Sequence, residues 1–347
     1  MAGKKSNTAG YDRLREDLKS ESLQNVYIFY GEESYLRSSY LEQVRQKLIP
    51  AGFEEFNYHR LGGKGLSMQD LAETAEAMPM MAEHTLITVT DLDIFKLDES
   101  GRTQLIELLG DFPDYCTLIF VYDTLEYKRD GKMKKLCAAL DERVCEVEFC
   151  QQDRERLLKW LKKRFAALGK DIDSAAADHL LFTCGTLMTD LVPEVEKIGS
   201  YAKGDRITVE DINAVADPIL DARVFDMTNH ITAGQFDDAA KVLAELLRMQ
   251  TEPIVILAAI GKELRRLYTA RMALDSGKDR FWLKSLWNMS SDYPAKLLMQ
   301  AAGKVSHQWC AAAVKKCQTL DRRMKSERNM DSEQELKLFL MELAGNR

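Results

Sequence analysis

The residues that could do chemistry come directly after the apolar run Val26 to Tyr30. At this point a strand would turn into a helix, and a phosphate-binding loop of the form G-x-x-x-x-G-K-[S/T] would be expected. Such a loop binds nucleotide phosphates through backbone N–H groups that its glycines leave accessible and through the charge of its lysine. The stretch here is a degenerate version of that loop, and the residues that define it are Gly31, Glu32, Glu33, Leu36, Arg37 and Ser38.

Three changes argue against phosphate binding at this loop. Counted from Gly31, Leu36 replaces the second glycine and Arg37 replaces the lysine, whereas Ser38 keeps its type. A side chain at Leu36 obstructs the close backbone approach that glycine permits, and the two adjacent glutamates would repel a triphosphate. We therefore expect no nucleotide or other cofactor, and a function that rests on binding. A variant loop that still holds nucleotide stays open as an alternative.

Composition limits the remaining classes of protein. The chain has 347 residues, 46% hydrophobic and 30% charged, which fits a globular protein of two or three domains. No run reaches the ~18 apolar residues that span a bilayer, and the first residues lack the apolar stretch of a signal peptide. Seven cysteines without a CxxC pair indicate reduced, buried thiols. We expect a cytoplasmic protein without membrane contact, and the net charge of −7 argues against coating nucleic acid alone.

The first 150 residues alternate strand-like and helix-like segments. Ser67 begins a helix with Asp70 three residues on, as in a capping box, and Pro79 disfavours helix geometry at Met78. Five strand-like runs interleaved with helices predict a parallel α/β sheet covered on both faces. These runs are Val26 to Tyr30, Phe53 to Leu61, Thr85 to Thr90, Cys116 to Tyr122 and Val144 to Phe149.

After Cys150 strands nearly vanish and helical periodicity takes over. Asp153 to Leu168 is strongly periodic and is followed by Gly169, which is typical of a helix end. Thr208 caps a short helix, and amphipathic helices continue from Pro218. We predict an α/β plus all-α protein with an α/β domain at 1–150, a small helical domain at 151–217 and a final helical domain at 218–347.

Four short segments, together with the Gly31 turn and the domain order, carry a family resemblance. They are Ala77 to Ala82, Ala222 to Met227, Tyr293 to Lys296 and Leu320 to Lys325. In these residues the chain resembles the delta subunits of bacterial DNA polymerase III, which are AAA+-related clamp-loader subunits. The resemblance implies an AAA+-like five-stranded sheet domain, a helical lid domain and a helical collar domain that mediates oligomerisation.

The resemblance also implies a mechanical role and a set of partners. A delta subunit binds the ring-shaped sliding clamp (beta) and opens one of its interfaces during DNA replication. It has no ATPase activity of its own, and it sits in a hetero-pentamer with delta-prime and tau/gamma subunits on primed DNA. In that assembly other subunits hydrolyse ATP, so this chain would belong to the DNA polymerase III holoenzyme without catalysing a reaction itself.

Within the resemblance, the clamp contact is a short helical element with a protruding hydrophobic pair. That pair falls on Met80 and Met81, supported by Met78. Related chains have leucine and phenylalanine there and a glutamine where this chain has Glu76. Flexible, polarizable methionines can fit an irregular pocket. Spacing alone instead favours packing of the three methionines in the core below the sheet.

Basic residues in the last domain form a second candidate surface, for DNA: Arg265, Arg266, Arg322, Arg323 and Lys325. Charges on amphipathic helices ordinarily form a solvated face. Alternatively they contact template phosphates, with Trp282, Trp287 or Trp309 available for base stacking.

No metal site or catalytic residue is predicted. The five histidines share no ligand spacing with the cysteines, and no carboxylate pair stands out as acid and base. Asp91 follows a strand, where a metal-binding acid of an ATPase would lie, but it lacks the usual neighbouring Glu and is interpreted as a strand-end cap. The alternative functions are an active AAA+ ATPase with a variant loop, such as a helicase loader or remodeller, and a stand-alone DNA-binding protein.

Overall fold

The computed structural model describes residues 8–20, 22–289, 291–327 and 329–345. The chain divides into two compact units, the first ending at Gln151 and the second beginning at Gln152. Each unit has its own hydrophobic core. The finer division into three domains, with boundaries near 150 and 217, stays a prediction.

The first unit is a five-stranded parallel sheet in the order β2-β3-β4-β1-β5, which confirms the predicted AAA+-like sheet. The strands are β1 (Val26–Tyr30), β2 (Tyr58–Gly62), β3 (Thr85–Thr90), β4 (Cys116–Val121) and β5 (Cys145–Glu148). The helices are α1 (Thr8–Ser20), α2 (Ser34–Leu48), α3 (Glu54–Asn57), α4 (Met68–Glu76), α5 (Glu99–Gly110) and α6 (Lys134–Arg143).

Alternation along the strands explains why helices cover both faces of the sheet. Val26 and Ile28 of β1 pack in one core, together with buried residues of α4, α5 and α6. Tyr27 and Phe29 point to the other face and pack with Leu14 of α1 and residues of α2. Because both faces of a parallel sheet are buried, its central strands read as continuous apolar runs in the sequence.

Two parts of the first unit differ from the prediction. Phe53 to Leu61 was expected to be one strand, but its first half forms the helical turn α3 and only the second half enters β2. Helix α1 is the second difference, because it is not among the predicted elements. This helix packs against β5 so closely that a Cβ at Gly10 would lie 1.8 Å from the carbonyl oxygen of Glu146. The helix thereby covers the edge strand β5, whose ladder would otherwise be open on that side.

The second unit is almost entirely helical, as predicted. The first part contains α7 (Arg154–Ala167), α8 (Ser174–Cys184), α9 (Met188–Tyr201) and α10 (Val209–Val215), with the two-residue strands β6 (Asp171–Ile172) and β7 (Arg206–Ile207). The rest contains α11 (Leu220–Ala233), α12 (Phe236–Arg248), α13 (Pro253–Asp275), α14 (Arg280–Leu286), α15 (Tyr293–Ala302), α16 (His307–Ser326) and α17 (Ser332–Ala344). No helix among the described residues has the length and hydropathy needed to cross a bilayer.

Local signals account for many of these helix ends. Asp153 caps α7 by accepting from the N–H of Arg156. Thr208 forms the predicted cap of α10 by accepting from the N–H of Asp211, and the Asp211 carboxylate accepts from the N–H of Thr208 in return. The long helix α13 lies at the centre of the core and packs against α11, α15 and α16. The helices after Pro218 pack around the buried α13, and this packing stabilises them.

Glu263 is a buried carboxyl group on α13, and only 6% of the residue is exposed. Burial raises its pKa to about 7, from an ordinary value of 4.5. Asp221 adds to this effect, whereas Arg266 and Lys262 oppose it. The nearest Arg266 nitrogen lies 3.8 Å from the Glu263 carboxylate, too far for a hydrogen bond. The carboxylate is therefore poorly compensated when ionised.

We predict that this group makes the second unit less stable as the pH rises from 4.5 to 7. The folded chain binds a proton that the unfolded chain has released in this interval, so stability falls with pH and levels off above 7. Glu263→Gln should raise the free energy of unfolding by about 1–3 kcal/mol at pH 8, and the gain should shrink at pH 5. Urea unfolding at both pH values measures this, with exposed Glu196→Gln as the control. Equal gains at both pH values would contradict the assignment.

Candidate functional site

The parallel sheet brings several loops together at its carboxyl edge, where open α/β sheets bind ligands. Strands β3, β4 and β1 are neighbours that end at the same level: Val121, the last residue of β4, pairs with Thr90 at the end of β3 and with Phe29, one residue before the end of β1. The Gly31 turn after β1, Asp91 after β3 and Asp123 after β4 therefore share this edge. This is the place where the sequence predicted a degenerate nucleotide-binding loop.

The turn after β1 is short and its backbone is already hydrogen-bonded. Helix α2 begins at Ser34, so only Gly31, Glu32 and Glu33 separate it from the strand. Gly31 has a φ of 116°, and a Cβ there would lie 2.5 Å from the carbonyl oxygen of Phe149. The N–H of Glu33 donates to that same oxygen at 2.9 Å, and the N–H of Ser34 donates to Glu32 at 3.1 Å. These N–H groups are not free to bind phosphate.

Arg37, which stands where the lysine of a phosphate loop would be, is 3% exposed. Its guanidinium donates to the carbonyl oxygen of Gly31 at 2.8 Å and forms an ion pair with Asp123. Leu36 packs against the core between the sheet and the α1 and α2 helices, while Ser38 is exposed on the helix. The one cation of the loop is thus bound to the chain's own oxygens.

Asp91 caps the turn after β4, which confirms its interpretation as a strand-end cap. Its carboxylate accepts from the N–H groups of Asp123, Thr124 and Leu125 at 2.8 to 3.1 Å and from the Thr124 hydroxyl at 2.7 Å. Burial alone would raise its pKa, but the bonds from Thr124, Leu125 and Asp123 outweigh burial and lower it. The ionised carboxylate is therefore satisfied by the protein itself.

A second candidate site lies at the opposite, amino edge of the same sheet. We call residues 77–84, between α4 and β3, the methionine loop. Its three methionines are exposed, Met78 by 75%, Met80 by 56% and Met81 by 83%. Packing of these methionines in the core, which spacing alone favoured, is therefore wrong.

The helical form that the resemblance implied for this element is also wrong for this chain. Helix α4 ends at Glu76, and the methionine loop consists of bends and irregular backbone. Pro79 disfavours helix geometry at Met78 and has no N–H to donate. Met81 has a φ of 53°, in the left-handed region, which also interrupts a helix.

Two side chains hold the methionine loop in place, and they precede β2 and β4, the two strands that flank β3. Asn57, directly before β2, is fully buried; its amide accepts from the N–H of Met80 at 2.7 Å and donates to the carbonyl oxygen of Met80 at 2.9 Å. Tyr115, directly before β4, donates to the carbonyl oxygen of Glu76 at 2.8 Å. Both anchors bind main-chain atoms, so the methionine side chains stay exposed on a fixed backbone.

Sequence reasoning missed both anchors. Asn57 lay inside a segment expected to be a strand, and nothing in the sequence connects it with Met80, which is 23 residues away. The one signal that could have pointed to it is a polar amide directly before an apolar run, at the end of a sheet where loops meet.

We predict that Asn57→Ala frees the backbone of the methionine loop. The variant loses both bonds to Met80, and each is typically worth about 1 kcal/mol. Hydrogen exchange at the Met80 amide should become at least about ten-fold faster while the sheet stays protected. The control is Asn25→Ala, which removes a 3.0 Å bond to the carbonyl oxygen of Pro113 at the same edge of the sheet. Equal exchange at Met80 in wild type and Asn57→Ala would show that the amide does not anchor the loop.

The predicted DNA-contacting residues of the second unit fall on two helices that pack together, α13 and α16. Three of them are close to acidic groups: Arg266 to Glu263, Arg323 to Glu327 and Glu335, and Lys325 to Asp321. Arg265 and Arg322 are exposed. This distribution is typical of a solvated helix face, and a contact with DNA stays a prediction.

The three tryptophans that were predicted as candidates for base stacking differ in their solvent exposure. Trp309 is 5% exposed and donates to the carbonyl oxygen of Leu343, so it belongs to the core. Trp287 is half-buried beneath the guanidinium of Arg266, 5.7 Å from its ring centre. Only Trp282, 40% exposed, presents much of its ring. Among the described residues no group of His, Cys, Asp and Glu side chains could hold a metal ion.

The fold and these sites define the class of protein to which the chain belongs. The chain has a five-stranded parallel sheet in the order β2-β3-β4-β1-β5, followed by a helical unit, and this is the fold of an AAA+-like protein. In place of a phosphate loop it has a short turn without the features of a working nucleotide loop.

Comparison with known proteins places the chain within that class. The family model for the DNA polymerase III delta subunit matches residues 27–150, and the model for its C-terminal domain matches residues 221–343. Together these segments cover more than half of the chain, which therefore belongs to the DNA polymerase III delta subunit family, a family of clamp-loader subunits in DNA replication.

Individual relatives extend the match to nearly the whole length. The chain is 22% identical over 334 residues to the DNA polymerase III subunit delta of Bacillus subtilis, covering 94% of this chain and 95% of the relative. It is 24% identical over 265 residues to a probable delta subunit of Aquifex aeolicus, covering 74% and 73%. The solved Bacillus subtilis clamp loader delta protein has the same fold, with 21% identity, a TM-score of 0.50 and coverage of 97% and 99%.

Proposed function

We propose that this chain binds the sliding clamp through Met80 and Met81 and opens one interface of the ring, without hydrolysing ATP itself. The observation that supports this most is the methionine loop, in which three exposed apolar side chains stand on a backbone held by Asn57. An exposed cluster of large apolar side chains is typical of a protein-binding site. Membership of the delta subunit family supplies the partner.

The geometry of the loop suits an anchor for an apolar pocket. Each methionine side chain is unbranched and polarizable, so it can adapt to the shape of a pocket. The backbone is already ordered by Asn57 and Tyr115, so binding has to restrict only side chains. A preorganised loop loses less conformational entropy on binding than a flexible one does. We propose an irregular, anchored loop as the clamp contact, where the resemblance alone implied a helix.

The carboxyl edge of the sheet supports the second part of the proposal, the absence of ATPase activity. The N–H groups of Glu33 and Ser34 donate to protein carbonyls. Arg37 is buried against Gly31 and Asp123, and Asp91 caps the turn after β4. A triphosphate would have to displace all three arrangements. We propose that ATP instead acts through partner subunits, delta-prime and tau/gamma in a hetero-pentamer on primed DNA.

In that arrangement ATP changes how often the methionine loop is accessible to the clamp. A ligand shifts an equilibrium between two arrangements only if it binds one of them more tightly. The proposal therefore requires that ATP binds the partner subunits more tightly when the loop is exposed than when it is covered. The isolated chain, whose loop is exposed, should bind the clamp without ATP.

We predict that Met80→Ala together with Met81→Ala weakens clamp binding by about 2–4 kcal/mol, because buried anchors act as hot spots. Surface plasmon resonance with the purified clamp measures the affinity. The matched control is Met249→Ala with Met272→Ala, which removes two methionines of comparable exposure, 58% and 48%, from the second unit. An unchanged affinity in the Met80 and Met81 variant would remove the clamp-contact assignment.

We predict that the isolated chain does not bind ATP at micromolar concentrations. Titration calorimetry with ATP and Mg²⁺ tests this, with a partner subunit that has an intact phosphate loop as the positive control. Micromolar binding would instead favour the alternative function, an active AAA+ ATPase with a variant loop.

A further inference from the structure

Among the described residues, the exposed methionine side chains are concentrated in the methionine loop. Six methionines among the described residues have large exposed fractions, and three of the six lie within four consecutive positions of the methionine loop. The other three, Met249, Met272 and Met341, lie apart from one another in the helical unit. The loop therefore presents the densest set of thioethers that a dissolved oxidant would meet.

Most of the cysteines are shielded from such an oxidant. Five of the seven are buried, and burial raises the pKa of the thiols of Cys116, Cys145, Cys310 and Cys317 to about 11. Oxidation of cysteine requires the thiolate, which is scarce at such pKa values. A methionine thioether needs no deprotonation, so its reaction with peroxide depends on its exposure and not on a pKa.

We propose that the methionine loop is a reversible oxidation site, at which hydrogen peroxide converts Met80 and Met81 to sulfoxides and thereby switches off clamp binding. A lone pair of the thioether sulfur attacks one peroxide oxygen, the O–O bond breaks, and the other oxygen leaves as water after a proton transfer. The sulfur loses two electrons and the peroxide gains them. A methionine sulfoxide reductase reverses the step: two thiols supply two electrons and two protons and become a disulfide, and the sulfoxide oxygen leaves as water.

This inference rests on the proposed clamp contact, and its physical consequence follows from polarity. A sulfoxide is polar and chiral, and it needs hydrogen bonds that an apolar pocket does not provide, so transfer into that pocket becomes unfavourable. The fold itself should tolerate the change. Asn57 and Tyr115 hold the loop through main-chain atoms, and Met68, a core methionine at the start of α4, is only 5% exposed. Oxidation would therefore alter the binding surface while the sheet stays folded.

The test treats the purified full-length chain with hydrogen peroxide, removes the peroxide with catalase, and then measures binding to untreated clamp. Peptide mass spectrometry reports the oxidised positions. Clamp affinity should fall about ten-fold or more, on the scale expected for loss of a binding hot spot, and methionine sulfoxide reductase should restore it. The circular dichroism spectrum should not change.

The matched variant is Met78→Leu with Met80→Leu and Met81→Leu, which keeps apolar side chains and removes the oxidisable sulfur. Whatever clamp affinity this variant has before treatment, the same affinity should be measured after peroxide. A second control, Met249→Leu with Met272→Leu, should lose affinity on oxidation as wild type does. Prior binding of the clamp should also protect Met80 and Met81 from peroxide while Met249 reacts at its usual rate.

Two outcomes would overturn the proposal: wild type that retains its affinity with Met80 and Met81 oxidised, or a leucine variant that loses affinity after peroxide as wild type does. Failure of the clamp contact itself gives a different result, because untreated Met80→Ala with Met81→Ala would then bind the clamp as wild type does. The two hypotheses can therefore fail separately.

Discussion

A guanidinium group cannot be buried without partners, and this constraint shapes the carboxyl edge of the sheet. Arg37 is 3% exposed, and its charge is compensated by the carbonyl oxygen of Gly31 and the carboxylate of Asp123. These contacts connect the turn after β1, the first turn of α2 and the turn after β4. The turn after β4 is held in addition by Asp91. The chain's own groups thus bind one another at the edge where the sequence predicted a degenerate nucleotide-binding loop.

The amino edge of the same sheet shows the reverse arrangement. There a buried polar side chain, Asn57, fixes a loop whose apolar side chains are exposed. Exposed methionines contribute little to stability, so the loop depends on main-chain hydrogen bonds for its order. A parallel sheet makes both edges possible at once, since all strand ends of one kind meet on one side. At one edge of this fold the turns are hydrogen-bonded within the protein, and the other edge presents an ordered apolar surface.

Particular residues show how far sequence reasoning reached. The continuous apolar runs of β1 and β3 predicted those strands with their observed bounds, because strands buried on both faces leave a strong local signal. The segment Phe53 to Leu61 misled the prediction, since its aromatic residues suit a strand and nothing local reveals that Asn57 must face Met80. The sequence also did not decide whether the methionines are exposed. Their spacing favoured burial in the core, and only the family resemblance favoured exposure at the surface.

The sequence by itself determined the parallel α/β sheet, the helical remainder, the caps at Ser67 and Thr208, and the loss of a working phosphate motif. All of these depend on residue types within a few positions of one another, where local sterics and hydrogen bonding decide. Tertiary structure alone decided that Arg37 turns inward, that Asn57 and Tyr115 hold the methionine loop, and that Met78, Met80 and Met81 are exposed. Those outcomes depend on contacts between segments far apart in the chain, and they arise only when the sheet brings its strand ends together.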